Sequence, residues 1–307
     1  MAHEPLLNEL RCELSSRFAI AQGEVDLRRY KLHPLPSKYG GPQEAILSFT
    51  EPMRGSHANP EEEGDIVLSF LSLLLNCRIR KTGYRVNGLD ISGQKPNPSR
   101  LASLFGETLA LSSPEISVSQ LFTLGDQLAK QFIRACNAYS LALASVELDS
   151  ALSFLLLVTA LESIASQEEF CPNAELDKQS RNVERYCRLV LSYCEAVQEL
   201  HPTGGEDAFV RELKTVYFSH RSGFVHAGKE VSIASRIADN SGFHSIAHFV
   251  DGKEVHTPGL KWFFRVVRNT LLGFLARFPR VSELPDEEVV SEIAKARAVI
   301  TVRVGGA

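Results

Sequence analysis

The residues best suited to chemistry in this chain are Arg221 and His226, in the stretch V-Y-F-S-H-R-S-G-F-V-H-A-G-K at 216–229. Arginine carries a charge it cannot lose in a protein and offers a planar fork that matches phosphate oxygens. Histidine is the side chain best placed to move protons near neutral pH. Together they meet the needs of metal-free RNA cleavage. One group activates the ribose 2′-hydroxyl or protonates the leaving 5′-oxygen, while a cation holds the charge growing on the phosphate. Ser222 can support the pair by hydrogen bonding, and His220 either assists or faces solvent. Spacing alone is a weak signal, because a helix cap with an arginine salt bridge has the same residues.

The element that carries the pair sets a geometric condition. On a straight α-helix, residues five apart sit roughly 140° apart about the axis, at about 3.6 residues per turn. Arg221 and His226 then share no face. Either Gly223 helps to distort the turn, or a second copy of the segment completes the site. The second option predicts a symmetric homodimer with a composite cleft.

Periodicity places these residues in a helical C-terminal domain. Helices are expected over Leu121–Ala144, Glu147–Ser166, Leu176–Leu200, Glu206–His220, Lys261–Arg277 and Glu287–Val299. Upstream, Leu6, Leu10, Leu14 and Phe18 suggest a short amphipathic helix over residues 1–20. Ala45–Phe49 reads as a strand, and a long apolar helix is expected from a cap near Asp65 to a closing Thr82-Gly83. Y-R-V-N-G-L-D-I reads as a small hairpin. The expected fold is mostly α: an N-terminal α domain with a minor β element at 1–115, and an antiparallel helical bundle at 118–307.

Two segments give the chain a wider resemblance. T-A-L-E-S-I-A-S at 159–166 precedes a long helix, and the Arg–His segment follows some fifty residues later. In this order and separation the chain resembles the HEPN superfamily, most closely its Apea-like branch, over roughly residues 120–280. The hallmark of that superfamily is Arg, a polar residue, variable residues and then His, here Arg221, Ser222, Gly223-Phe224-Val225 and His226. The resemblance implies a helical bundle and a metal-independent endoribonuclease of toxin–antitoxin, abortive-infection or antiviral systems, commonly dimeric. The second reading it admits is a catalytically inactive module that binds RNA, a nucleotide or a protein partner. One departure is local: relatives often have Gly directly after the His, whereas this chain has Ala227 and then Gly228.

Other features bear on such a site. Glu162 interrupts an apolar helix, where an unpaired carboxylate would be costly. It either orients Arg221, pairs with another arginine, or is partly exposed. Lys178, Arg181, Arg185 and Arg188 form a basic stripe that could track an RNA backbone, although interleaved Glu175, Asp177 and Glu184 also suit a solvated face. Lys261, Arg265 and Arg268 form a second stripe, with Trp262 and Phe264 as core anchors. His244, His248 and His256 lie in turn-rich surroundings and read as surface histidines, so no metal site is expected.

Bulk properties narrow the classes. The 307 residues are 44% hydrophobic and 23% charged, with a net charge of −4. Residues 1–145 are charge-neutral and the remainder carries the −4, so any RNA contact must come from local patches. The six cysteines form no C-x-x-C pair and read as buried thiols in a reducing compartment. No signal peptide or membrane span is evident, which suggests a soluble cytoplasmic protein. P-loop, dinucleotide-binding and G-x-S-x-G motifs are absent, and no cofactor is expected. The expected partners are RNA, a second copy of the chain, and a regulatory protein or antitoxin docked on the N-terminal region.

Overall fold

A spacing of four residues fits a strand as well as a helix, because four is a multiple of the strand period of two. Leu10 and Leu14 lie with Cys12 on one fully buried face of β1 (Leu7–Leu14). Within the helix expected over residues 1–20, the described residues form strands instead: β1 and then the two-residue β2 (Phe18–Ala19). The computed structural model describes residues 6–14, 18–19, 25–27, 30–35, 43–50, 60–90, 109–110, 120–121, 124, 126–146, 149–167, 170, 177–194, 205–218, 245–250 and 253–278.

The strand β1 and its neighbours correct the mostly-α expectation. In place of an α domain with a minor β element stands a six-stranded antiparallel sheet. Its further strands are β3 (Val25–Leu27), β4 (Tyr30–Pro34), β5 (Gln43–Thr50), β6 (Ile79–Val86) and β7 (Leu89–Asp90). The spatial order is β3-β4-β5-β1-β6-β7, with β1 in the interior. The turn between β6 and β7 is the expected N-G pair, with Asn87 at φ 48° and Gly88 at φ 78°. Both values are what a two-residue hairpin turn demands. A short β8 (Leu109–Ala110) pairs in parallel with β2.

One helix, α1 (Pro60–Leu75), packs beside β1 and β6. Proline suits the first helical turn because its missing N–H would go unbonded there, and Glu61–Glu63 lie at the positive end of the helix dipole. The helix thus starts before the expected cap at Asp65. It also ends earlier than expected, at Leu75, where Asn76 takes a left-handed φ of 49°. Thr82 and Gly83 lie in β6 instead, where the register against β1 shifts between Arg11 and Cys12. Polar bonds tie α1 to the sheet: the Tyr30 hydroxyl donates to Glu63, and Lys81 Nζ donates at 2.8 Å to both Glu61 and Asp65. Register sets Glu13 opposite Arg80, and the two form an ion pair.

The chain divides into two compact units, Met1–Ile133 with Phe278–Ala307, and Arg134–Arg277. The second holds most of α2 (Asp126–Ser145), then α3 (Ser150–Ala165), α4 (Lys178–Tyr193), α5 (Gly205–Val216) and α6 (Leu260–Ala276). Asp149 caps α3 by accepting from the backbone N–H groups of Ala151 and Leu152, and Asp177 accepts from the N–H of Ser180 at the start of α4. This unit is not all-α. The insert before α6 contains an antiparallel pair, β9 (Ser245–Val250) and β10 (Lys253–Pro258), and β10 runs beside α5.

The aromatic residues of α6 join the other helices. Trp262 meets Phe209 of α5, Phe263 stacks on Phe154 of α3, Phe264 meets Tyr139 of α2, and Phe274 meets Tyr193 of α4. At Gly273 the helix passes so close to α4 that an added Cβ would lie 2.2 Å from the Tyr193 carbonyl oxygen. No helix among the described residues is long and apolar enough to cross a membrane. The expected helix Glu287–Val299 lies outside the described residues.

Candidate functional site

Arg221, Ser222, His226 and His220 lie outside the described residues. The described chain leads up to them along α5. Phe209, Leu213 and Val216, at intervals of four and three, are buried on one face of that helix. Beyond Val216 the winding widens into a π turn at Tyr217 and Phe218. Tyr217 is buried, whereas Phe218 is 44% exposed.

Glu162 sits on α3 among Leu161, Ile164 and Ala165, all of which are buried. The Tyr217 hydroxyl donates to Glu162 Oε1 at 2.6 Å. The bond gives this part-buried carboxyl group a polar partner on the side that faces the helix packing. Glu162 is itself only partly buried, one of the outcomes its sequence setting allows, and a phenol is among its partners.

Tyr186 of α4 completes the cluster. Its ring lies against that of Tyr217, with centroids 5.4 Å apart and planes tilted by 53°. Its hydroxyl is fully buried and has no hydrogen-bond partner among the described residues. Burial pushes this phenol well above its ordinary value, and nearby Cys187, Glu162 and Tyr217 add to the shift. It remains a neutral donor across the physiological range.

The basic stripe falls on α4. Lys178 opens the helix, Arg181 and Arg185 are half-buried, and Arg188 is exposed. Arg188 Nε lies 3.1 Å from Glu184 Oε1, one helical turn away. Such an exposed i,i+4 pair contributes only about 0.3–0.5 kcal/mol and is the mark of a solvated face. On α6, Trp262 and Phe264 are buried at 3% and 1% exposure, so they are core anchors as expected. His248 pairs with Val255 and His256 with Ala247. His244 lies outside the described residues.

Sequence reasoning missed Tyr217 and Tyr186. Tyr186 reads as one more apolar residue on the stripe of α4. Tyr217 stands inside the motif segment, and the only signal for it is a phenol placed one residue beyond a buried helix face, where its polar tip needs a partner. No protein-family model, curated protein or solved structure matches the chain.

Proposed function

We propose that the chain is a metal-independent endoribonuclease of HEPN type, working through Arg221 and His226 at a site shared by two copies. In this reading the ribose 2′-oxygen attacks phosphorus as the P–O5′ bond breaks, leaving a 2′,3′-cyclic phosphate and a free 5′-hydroxyl. His226 takes the 2′-hydroxyl proton or delivers one to the departing 5′-oxygen. Arg221 holds the phosphate oxygens as charge grows on them, and Ser222 supports by hydrogen bonding. His220 is a further candidate beside the pair, while Lys178, Arg181, Arg185 and Arg188 are candidates for contact with the RNA backbone.

The observation that supports this reading is the bond between Tyr217 and Glu162. The resemblance rests on two segments far apart in sequence, one containing Glu162 and the other beginning beside Tyr217. The fold brings these two segments into direct contact. A chance Arg–His spacing carries no such requirement. Uncontrolled RNA cleavage harms a cell, so the role proposed is a gated cytoplasmic toxin or antiviral effector, with the N-terminal sheet unit as sensor or docking site for a regulator.

Purified protein incubated with total RNA in EDTA tests the reading. Cleavage should survive chelation, leave cyclic-phosphate ends, and vanish in Arg221→Ala and His226→Ala at unchanged circular dichroism. Full activity in both variants refutes it. Tight binding of RNA that is never cut would make the chain a binding module instead.

A further inference from the structure

Among the described helices, α6 alone carries cations and no carboxylate. Its cations are Lys261, Arg265 and Arg268, spaced by four and then three residues. At about 100° per residue they fall within about 60° of one another. That stripe lies opposite Phe263, Val266, Thr270 and Phe274, which are fully buried, while the three cations are only half-buried. Helix stability gives no reason for the row. Lys261 stands in the first turn, where the helix dipole favours an acid and none is present. Like charges one turn apart also repel. On α4, by contrast, Arg188 sits beside Glu184.

We infer that the row Lys261–Arg265–Arg268 is a docking surface for the phosphate backbone of RNA. The inference takes the identity of the partner from the ribonuclease reading. The two guanidinium forks match phosphate oxygens, and the lysine adds a point charge. The row spans seven residues, about 10 Å along the helix axis, so its charges suit successive phosphates of a strand rather than one small anion. Residues 146–307 carry the whole net charge of −4, so attraction for RNA there has to come from a local row of this kind. The aromatic residues of the same helix turn inward, with Trp262 3% and Phe264 1% exposed, and offer no stacking platform for bases. Contact with phosphates alone fixes where the strand lies and carries no sequence information. Binding through this row is therefore indifferent to base sequence and steeply weakened by salt.

The test measures fluorescence anisotropy of labelled single-stranded oligouridine and of a mixed-sequence oligonucleotide of equal length. The protein is the full chain carrying His226→Ala, so that cleavage does not disturb binding. Each phosphate contact to a single strand contributes about −0.7 to the slope of log affinity against log salt. Combining Lys261→Gln, Arg265→Gln and Arg268→Gln should flatten that slope by roughly 2 and weaken binding at about 0.1 M KCl by roughly a hundredfold. The loss should be the same for both oligonucleotides. Lys130→Gln, Arg134→Gln and Arg211→Gln together change the net charge equally on α2 and α5, and should leave the slope unchanged. Arg265→Lys with Arg268→Lys keeps the charge and should keep most of the slope. Single glutamine variants, each flattening the slope by about 0.7, carry the test if the triple variant melts early. An unchanged slope in the row variants, equal losses in both triple variants, or no RNA binding by the parent chain overturns the inference. The cleavage assay in EDTA judges the ribonuclease reading on its own, since a chain that binds through this row and never cuts RNA fails only that reading.

Discussion

The Tyr217 hydroxyl donates to Glu162 Oε1 at 2.6 Å, joining the end of α5 to the last turn of α3 across 55 positions of sequence. Two substitutions at Glu162 separate the bond from the charge. Leucine leaves a buried phenol without this acceptor and should cost roughly 1–3 kcal/mol, the penalty of an unsatisfied polar group. Glutamine keeps an acceptor oxygen and should cost less, while lowering RNA cleavage more than stability. Urea unfolding with unchanged m-values, run beside the cleavage assay, checks both. Equal stability losses in the two variants would mean that the carboxylate charge, not the bond, is what the fold uses.

Tyr186 presents the opposite case. Its buried hydroxyl satisfies nothing among the described residues, yet it was taken out of water. Removing an unpaired buried polar group while keeping the ring should be neutral or stabilising, by up to about 1 kcal/mol. Thermal melting of Tyr186→Phe reads this directly. A clear drop in melting temperature would show that the hydroxyl is bonded after all.

The elements legible in the sequence are those whose signal is local. Phe209, Leu213 and Val216 mark a helix face by spacing alone, and Asn87-Gly88 marks a turn by the φ angles it permits. β1 is ambiguous because Leu10 and Leu14 satisfy helix and strand periods alike, and only pairing with β5 and β6 decides between them. The start of α1 is masked because Asp65 is a good cap in isolation, while Pro60 and three glutamates make a better first turn. At the candidate site, the need of Glu162 for a polar partner or for solvent is legible from its apolar neighbours. The identity of its phenol partner is not, since a tyrosine on an amphipathic helix looks the same whether its tip meets water or a carboxylate.

The cysteines give a pH-dependent prediction. Burial, with Glu13 adding, pushes the Cys12 thiol up to about 12, and burial does the same to Cys187 against a partial offset from Lys214. Cys77 and Cys136 are likewise raised well above the ordinary range by burial. A raised thiol favours the folded state below its unfolded value of 9.0 and ceases to do so as pH climbs toward the folded value. Stability should therefore be insensitive to these four groups up to about pH 9 and fall above it. At pH 8 iodoacetamide should leave all four unmodified in the native protein and label them once guanidinium unfolds it. Native labelling of any one, seen by peptide mass spectrometry, would contradict the burial described for it.

The π turn at Tyr217–Phe218 sharpens the question of how many chains make one site. On α winding Arg221 and His226 diverge by roughly 140°, which favours a composite site from two chains. In π winding the hydrogen bond runs from i to i+5, so residues five apart return to nearly the same face. One chain with that winding through the motif would then present both groups. Mixing the two inactive variants distinguishes the arrangements. If the arginine of one chain serves the histidine of the other, an Arg221→Ala/His226→Ala heterodimer holds one intact site, and random mixing should restore about a quarter of wild-type activity. If each chain builds its own site, both sites of every heterodimer are broken and the mixture stays inactive. The composite reading predicts recovery; a dead mixture in which exchange of subunits is verified by differential tags would assign the whole pair to a single chain.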